Sequence, residues 1–153
     1  MQNNKDRIMM FLDLHGHTKG DGIFFYACQT ELPAKPDHLD KAEANKILQQ
    51  TVLVQTLPNL LSRNSQYFNQ AQNKFFSFNS DKTGGKMNTA RVVGAKELGI
   101  RLSYTIESSF YSYPLILDNG NHLKGMLNQE AMEKAGIDLL KGIQSVALTI
   151  QKI

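Results

Sequence analysis

One stretch limits what this chain can fold into more than any other. Ile8-Met9-Met10-Phe11-Leu12-Asp13-Leu14-His15-Gly16-His17-Thr18 is an apolar run of strand length that ends in an aspartate and two histidines, and Lys19-Gly20-Asp21-Gly22 follows at once. The nearly unbroken apolar character from Ile8 to Leu14 describes a strand covered on both faces. In open α/β sheets ligands bind in the crevice outside the carboxyl ends of such strands, so these polar groups stand where chemistry would be done. Gly20-Asp21-Gly22 is turn chemistry, and Ile23-Phe24-Phe25-Tyr26-Ala27-Cys28 begins a second apolar strand. A link this short cannot hold a helical crossover, so the two strands are expected to form a hairpin or to be neighbours joined by a functional loop.

The rest of the chain supplies helices to cover such a sheet. Residues 1–7 are polar and read as a disordered or extended lead-in to one domain over 8–153. After Pro33 and Pro36, and capping residues in Asp37-His38-Leu39-Asp40, the span Lys41 to Thr56 places Ala44, Ile47, Leu48, Val52 and Leu53 at helical spacing. Leu57-Pro58 is expected to interrupt it before a short helix from Asn59 to Phe68. Phe75-Phe76-Ser77-Phe78 reads as a short strand and Asp81 to Lys86 as a mobile loop. Thr89 to Leu98 is a helix with a start signal at Asn88 or Thr89 and a stop at Gly99. Arg101 to Glu107 alternates with period two and is the third strong strand, and Ser108 to Gly125 reads as loop. Asn128 caps a long final helix, Gln129 to about Lys152, with Met132, Ile137, Leu140, Ile143 and Ala147 near one face. The expected fold class is α/β, a mixed and mostly buried sheet flanked by helices.

Composition excludes several functions. The 153 residues fit one domain, able to bury about 68–70% of its unfolded surface if it closes a core alone. Lys and Arg number 17 against 14 Asp and Glu, and the positive residues are scattered, so the clustered footprint of a nucleic-acid binder is absent. No apolar run approaches the roughly 20 residues that span a bilayer, and the polar N-terminus lacks the apolar core of a signal peptide. The single cysteine, Cys28, forms no internal disulfide and fits a reducing, cytoplasmic setting.

Two strand ends carry reactive groups. If the first strand persists through His17, alternation sets Asp13, His15 and His17 on one face, where imidazoles could bind zinc and the carboxylate could orient one of them. The plainer reading makes His17 a turn residue and His15 a hydrogen-bonded core histidine. Glu107 follows the third strand, where it could cap Ser108-Ser109 or act as a general base.

Two families share parts of this pattern. The metal phosphoesterases of the polymerase-and-histidinol-phosphatase type open with a motif like Asp13 to Thr18 and a short Asp-Gly loop, but they continue to a second Asp-His pair that has no counterpart here. Asp13 to Thr18, Ile23 to Cys28, Thr89-Ala90-Arg91-Val92-Val93 with Leu98-Gly99-Ile100, and Ser103-Tyr104-Thr105-Ile106-Glu107-Ser108-Ser109-Phe110 occur in the order and rough spacing of the cytosolic carboxypeptidases. The chain resembles that family over roughly 8 to 112. These are zinc carboxypeptidases that trim glutamate from protein tails, tubulin among them.

The resemblance implies the C-terminal half of a zinc-carboxypeptidase fold. It implies His15 as the last zinc ligand and Glu107 as the general base. It implies Arg91 as the basic residue that meets an acidic substrate side chain, against the plainer reading of a solvated first-turn residue. Zinc is the implied cofactor. Tubulin or other acidic tails are the implied partners, in the cytoplasm and in a cytoskeletal or ciliary setting.

The family's earlier His-x-x-Glu zinc motif is missing, because the residues three beyond His15, His17, His38 and His122 are Thr18, Gly20, Lys41 and Gly125. A catalytic zinc generally needs three protein ligands. Another chain would therefore supply the N-terminal half or cover the exposed apolar sheet edge. Otherwise the chain is an incomplete product, or a non-catalytic carboxypeptidase-derived interaction subunit of a larger assembly. The loop Lys19-Gly20-Asp21-Gly22 also departs from the basic loop usual in the family, and Ala90 stands where a glycine is usual.

Overall fold

A computed structural model of the chain describes residues 7–30, 39–77, 88–117 and 119–151. In chain order the elements are β1 (Met10–His17), β2 (Ile23–Gln29), α1 (Lys41–Asn64), β3 (Lys74–Ser77), α2 (Ala90–Lys96), β4 (Leu102–Ser109), β5 (Ser112–Ile116), β6 (His122–Met126) and α3 (Gln129–Ile150). They make the expected α/β arrangement, with one sheet in the order β1-β4-β2-β3 and a separate pair β5-β6. The expected loop over 81–86, the prolines Pro33 and Pro36, and His38 lie outside the described residues.

The strand order corrects the expectation for β1 and β2, since β4 lies between them. The link 18–22 crosses the end of β4, where the Ser109 N–H donates to the Gly22 carbonyl (2.9 Å) and the Phe110 N–H to the His17 carbonyl (3.4 Å). Two strand spacings are about 10 Å, within reach of so short a link. β1 stands at one end of the order and is half-buried to exposed rather than covered on both faces. Its strand persists through His17, so alternation sets His15 and His17 on one face.

The chain forms two compact units. The first comprises Met1–Asp13, Tyr26–Gln55 and Lys74–Thr105. In it β2 pairs in parallel with β3, Tyr26 opposite Lys74 through Gln29 opposite Ser77, and α2 ends before Gly99, whose φ of 69° suits the turn out of a helix. Ala27, Val54, Val92, Leu102 and Tyr104 form its buried core.

Helix α1 corrects another expectation, because it continues through Pro58 to Asn64. Proline lacks the N–H that would bond the carbonyl four residues earlier, that of Val54. The buried Tyr104 hydroxyl donates to that oxygen at 2.9 Å and replaces the lost helical bond. The inner stripe of α1 is Val54, Leu57, Pro58 and Leu61, while Leu48 and Val52, expected inside, are exposed.

The second unit comprises Leu14–Phe25, Thr56–Asn73 and Ile106–Ile153. The start of β2 is held by a parallel bridge from Ile23 to Phe68, and Phe25 stacks on the Phe68 ring with centroids 5.9 Å apart. The span expected as loop after Ser108 contains the antiparallel β5-β6 hairpin, in which Tyr113 opposes Gly125. On α3 the buried residues are Ala131, Ala135, Gly142 and Val146, whereas Met132, Ile137 and Leu140 face outward. Small residues win this face because α3 lies close to α1: a Cβ on Gly142 would sit 2.9 Å from the Leu61 side chain. Among the described residues no helix is long and apolar enough to cross a membrane.

Candidate active site

His15 and Glu107 lie on neighbouring strands, β1 and β4. The hydrogen bond from Phe110 N–H to the His17 carbonyl joins the C-terminal ends of those strands, so both residues fall at the same end of the sheet. His15 is exposed and Glu107 half-buried. A carboxylate in that position keeps access to water and to a ligand while one side is screened from solvent.

His17 is the turn residue that the plainer reading describes. Its Nδ1 accepts the backbone N–H groups of Lys19 (3.0 Å) and Gly20 (2.9 Å), and its ring meets Phe24 edge-on at 5.2 Å. An imidazole nitrogen accepting two backbone donors is unprotonated, so the neutral ring carries its proton on Nε2 and offers no lone pair to a metal while this turn stands.

Two separate sequence motifs meet in one contact. A Cβ on Gly16 would come within 2.2 Å of the Phe110 ring, so the ring occupies the space a side chain at Gly16 would need. The glycine between the two histidines and the phenylalanine after Glu107 thus depend on each other. Asp21 fastens the adjoining loop to the hairpin: its Oδ1 accepts from Ser112 Oγ at 2.6 Å, and its carboxylate pairs with Lys124 Nζ at 2.9 Å. The Ser112 hydrogen bond, aided by Lys124, holds the Asp21 carboxyl below its usual range.

Beside these strand ends a cavity of about 420 Å³ opens among Leu14, His15, Phe110, Met132, Gly136 and Leu139. Its walls are largely apolar, which suits hydrophobic side chains better than a charged substrate.

Arg91 belongs to the first unit, on α2. Only 4% exposed, it is not the solvated first-turn residue of the plainer reading. Its guanidinium lies 5.2 Å from the Phe76 ring and 5.7 Å from that of Tyr26, and Nη1 donates to Thr105 Oγ1 at 3.3 Å. The buried Nε–H has no partner among the described residues. Burial pushes the Cys28 thiol up in pKa, with the Arg91 guanidinium working against the rise.

Comparison with known proteins gives this arrangement a context. No family model matches the chain. It is 34% identical to cytosolic carboxypeptidase 3 of Bos taurus over 135 residues, which cover 86% of this chain and 11% of that protein. It is 32% identical to cytosolic carboxypeptidase 2 of Danio rerio over 118 residues, covering 75% and 13%. It is 26% identical to cytosolic carboxypeptidase 1 of Xenopus laevis over 135 residues, covering 88% and 10%. The chain is a relative of the cytosolic carboxypeptidases. It spans about a tenth of the length of the curated relatives it matches.

A carboxypeptidase-like chain raises the question of zinc. Among the described residues no group of three or more His, Cys, Asp or Glu side chains could hold a metal ion. A catalytic zinc takes three protein ligands, so the described donor set does not fit one by itself. Sequence reasoning about this carboxypeptidase relative missed the Gly16–Phe110 contact and the Asp21 anchor. Both link residues distant in sequence, and only the glycine between the two histidines hinted at either.

Proposed function

We propose that the chain forms the C-terminal half of a metallocarboxypeptidase site that removes glutamate from protein tails, completed by an N-terminal half supplied by another chain. Glu107 acts as the general base, taking a proton from the attacking water and passing it to the leaving amine. His15 is the zinc ligand this chain contributes, and the His-x-x-Glu ligands come from the completing segment. The family resemblance, rather than the packing around it, is what assigns Arg91 to the acidic side chain, for which a guanidinium is chemically suited. The substrates would be tubulin or other acidic tails, in a cytoplasmic and cytoskeletal or ciliary setting.

The observation that carries the reading is the adjacency of β1 and β4, with His15 and Glu107 at one end of the sheet. The test co-expresses the chain with the segment of a cytosolic carboxypeptidase that carries His-x-x-Glu, and measures glutamate release from a polyglutamylated peptide. Release is expected from the pair, with a loss of about 10²–10⁴-fold in Glu107→Gln. Undiminished turnover in that variant would remove Glu107 from the chemistry. A stable pair with neither zinc nor turnover would favour the carboxypeptidase-derived interaction subunit instead.

A further inference from the structure

The end of β1 that carries His15 is held by few contacts. β1 stands last in the sheet order, so among the described strands β4 is its one neighbour. Just beyond β4, the Phe110 N–H reaches the His17 carbonyl at 3.4 Å, a long and therefore weak bond. A strand end paired on one side by such a bond opens at low cost.

Phe110 supplies a second hold. The tip of its ring fills the space that a Cβ on Gly16 would take, directly after His15 in the chain. Glycine inside a strand marks this kind of close approach. The ring is 59% exposed and otherwise meets Tyr111 edge-on, with centroids 6.3 Å apart, so burial in a core does not explain where it lies. The turn that aims it is fixed independently of β1. The buried Ser109 Oγ accepts the N–H groups of Tyr111 (3.2 Å) and Ser112 (3.3 Å), and the Ser109 N–H donates to the Gly22 carbonyl at 2.9 Å. A ring anchored to this turn and laid on Gly16 sets the end of β1 against β4.

We propose that Phe110 is a positioning residue, whose packing on Gly16 holds His15 in place beside Glu107. Its consequence for turnover rests on the half-site reading, whereas the contact belongs to the chain alone. Displacing a group in a reacting site by about 1 Å can cost about 10²-fold in rate.

The test has two arms. In the chain alone, Phe110→Ala is expected to speed amide hydrogen exchange over His15 to Thr18 about tenfold and to leave β5 and β6 unchanged, because the Ser109 turn remains. In the chain co-expressed with the His-x-x-Glu segment, glutamate release by Phe110→Ala is expected to lose about 10–100-fold in kcat, with KM altered by no more than about twofold. Phe110→Leu, which keeps an apolar side chain of similar reach, is expected to stay within about threefold of wild type in both arms. Gly16→Ala brings a methyl against the ring and is expected to lower kcat as well. In the double variant the two losses are expected not to multiply, because each removes the same contact.

Unchanged exchange over His15 to Thr18 in Phe110→Ala would overturn the positioning role. Faster exchange with full turnover would make the contact structural alone and overturn it too. A raised KM at constant kcat would place Phe110 in substrate binding and contradict the proposal. No glutamate release from the wild-type pair would overturn the half-site reading and the catalytic consequence with it, while the exchange arm would still decide whether Phe110 holds β1.

Discussion

Tyr104 makes two distant parts of the sequence depend on each other, because its hydroxyl donates to the Val54 carbonyl that Pro58 leaves without a helical donor. Tyr104→Phe should therefore cost about 1–3 kcal/mol in denaturant unfolding, the price of a buried carbonyl without a partner. Burial also raises the Tyr104 phenol well above its ordinary value. The unfolded phenol loses its proton near pH 10, so between that pH and the higher folded value the native state holds more protons than the unfolded one. Stability from this group is complete below about pH 10 and falls as pH rises beyond it. Tyr104→Phe should flatten that alkaline slope, and an unchanged slope would contradict the assignment. The strand-end pattern makes legible in the amino-acid sequence that His15 and Glu107 stand at the ends of strands, while their adjacency depends on the sheet order. The turn role of His17 is legible there only as one of two alternatives, because which nitrogen accepts the Lys19 and Gly20 amides is set by loop geometry.

The elements that were legible owe their form to local signals. Strand β2, the body of β4, helix α2 with its Gly99 stop and helix α3 with its Asn128 cap follow from apolar runs, alternation and caps. Those misread depend on distant partners. The continuity of α1 through Pro58 depends on Tyr104, and the position of β4 between β1 and β2 depends on pairing across most of the chain. The inner face of α3 is built from small residues because α1 lies against it, whereas counting hydropathy favours the large ones that point outward. The β5-β6 hairpin had a usable signal in Asn119-Gly120, obscured by Pro114 within β5. Asp21 anchors this hairpin through Ser112 and Lys124. Asp21→Asn should speed amide hydrogen exchange in β5 and β6 while lowering global stability by no more than about 1 kcal/mol, because the ion pair is solvent-exposed. Since the Asp21 carboxyl is held low, this anchoring is present above the unfolded carboxylate range near pH 4 and weakens as pH falls through it. Unchanged exchange in the hairpin would show that other contacts hold it.

At the scale of the whole molecule, three observations bear on the half-site proposal. β1 ends the sheet order, α3 exposes Met132, Ile137 and Leu140, and no described cluster can hold a metal alone. The curated relatives extend far beyond the matched stretch. The proposed half-site accounts for an apolar face in water and for a described donor set too small to hold a catalytic zinc by itself. The most direct test is native mass spectrometry with metal analysis on the chain alone and on the chain co-expressed with the His-x-x-Glu segment of cytosolic carboxypeptidase 1. The account predicts no stoichiometric zinc on the chain alone, and a one-to-one complex that carries one zinc and loses it in His15→Ala. One zinc bound tightly by the chain alone, or a complex whose zinc is indifferent to His15, would contradict it.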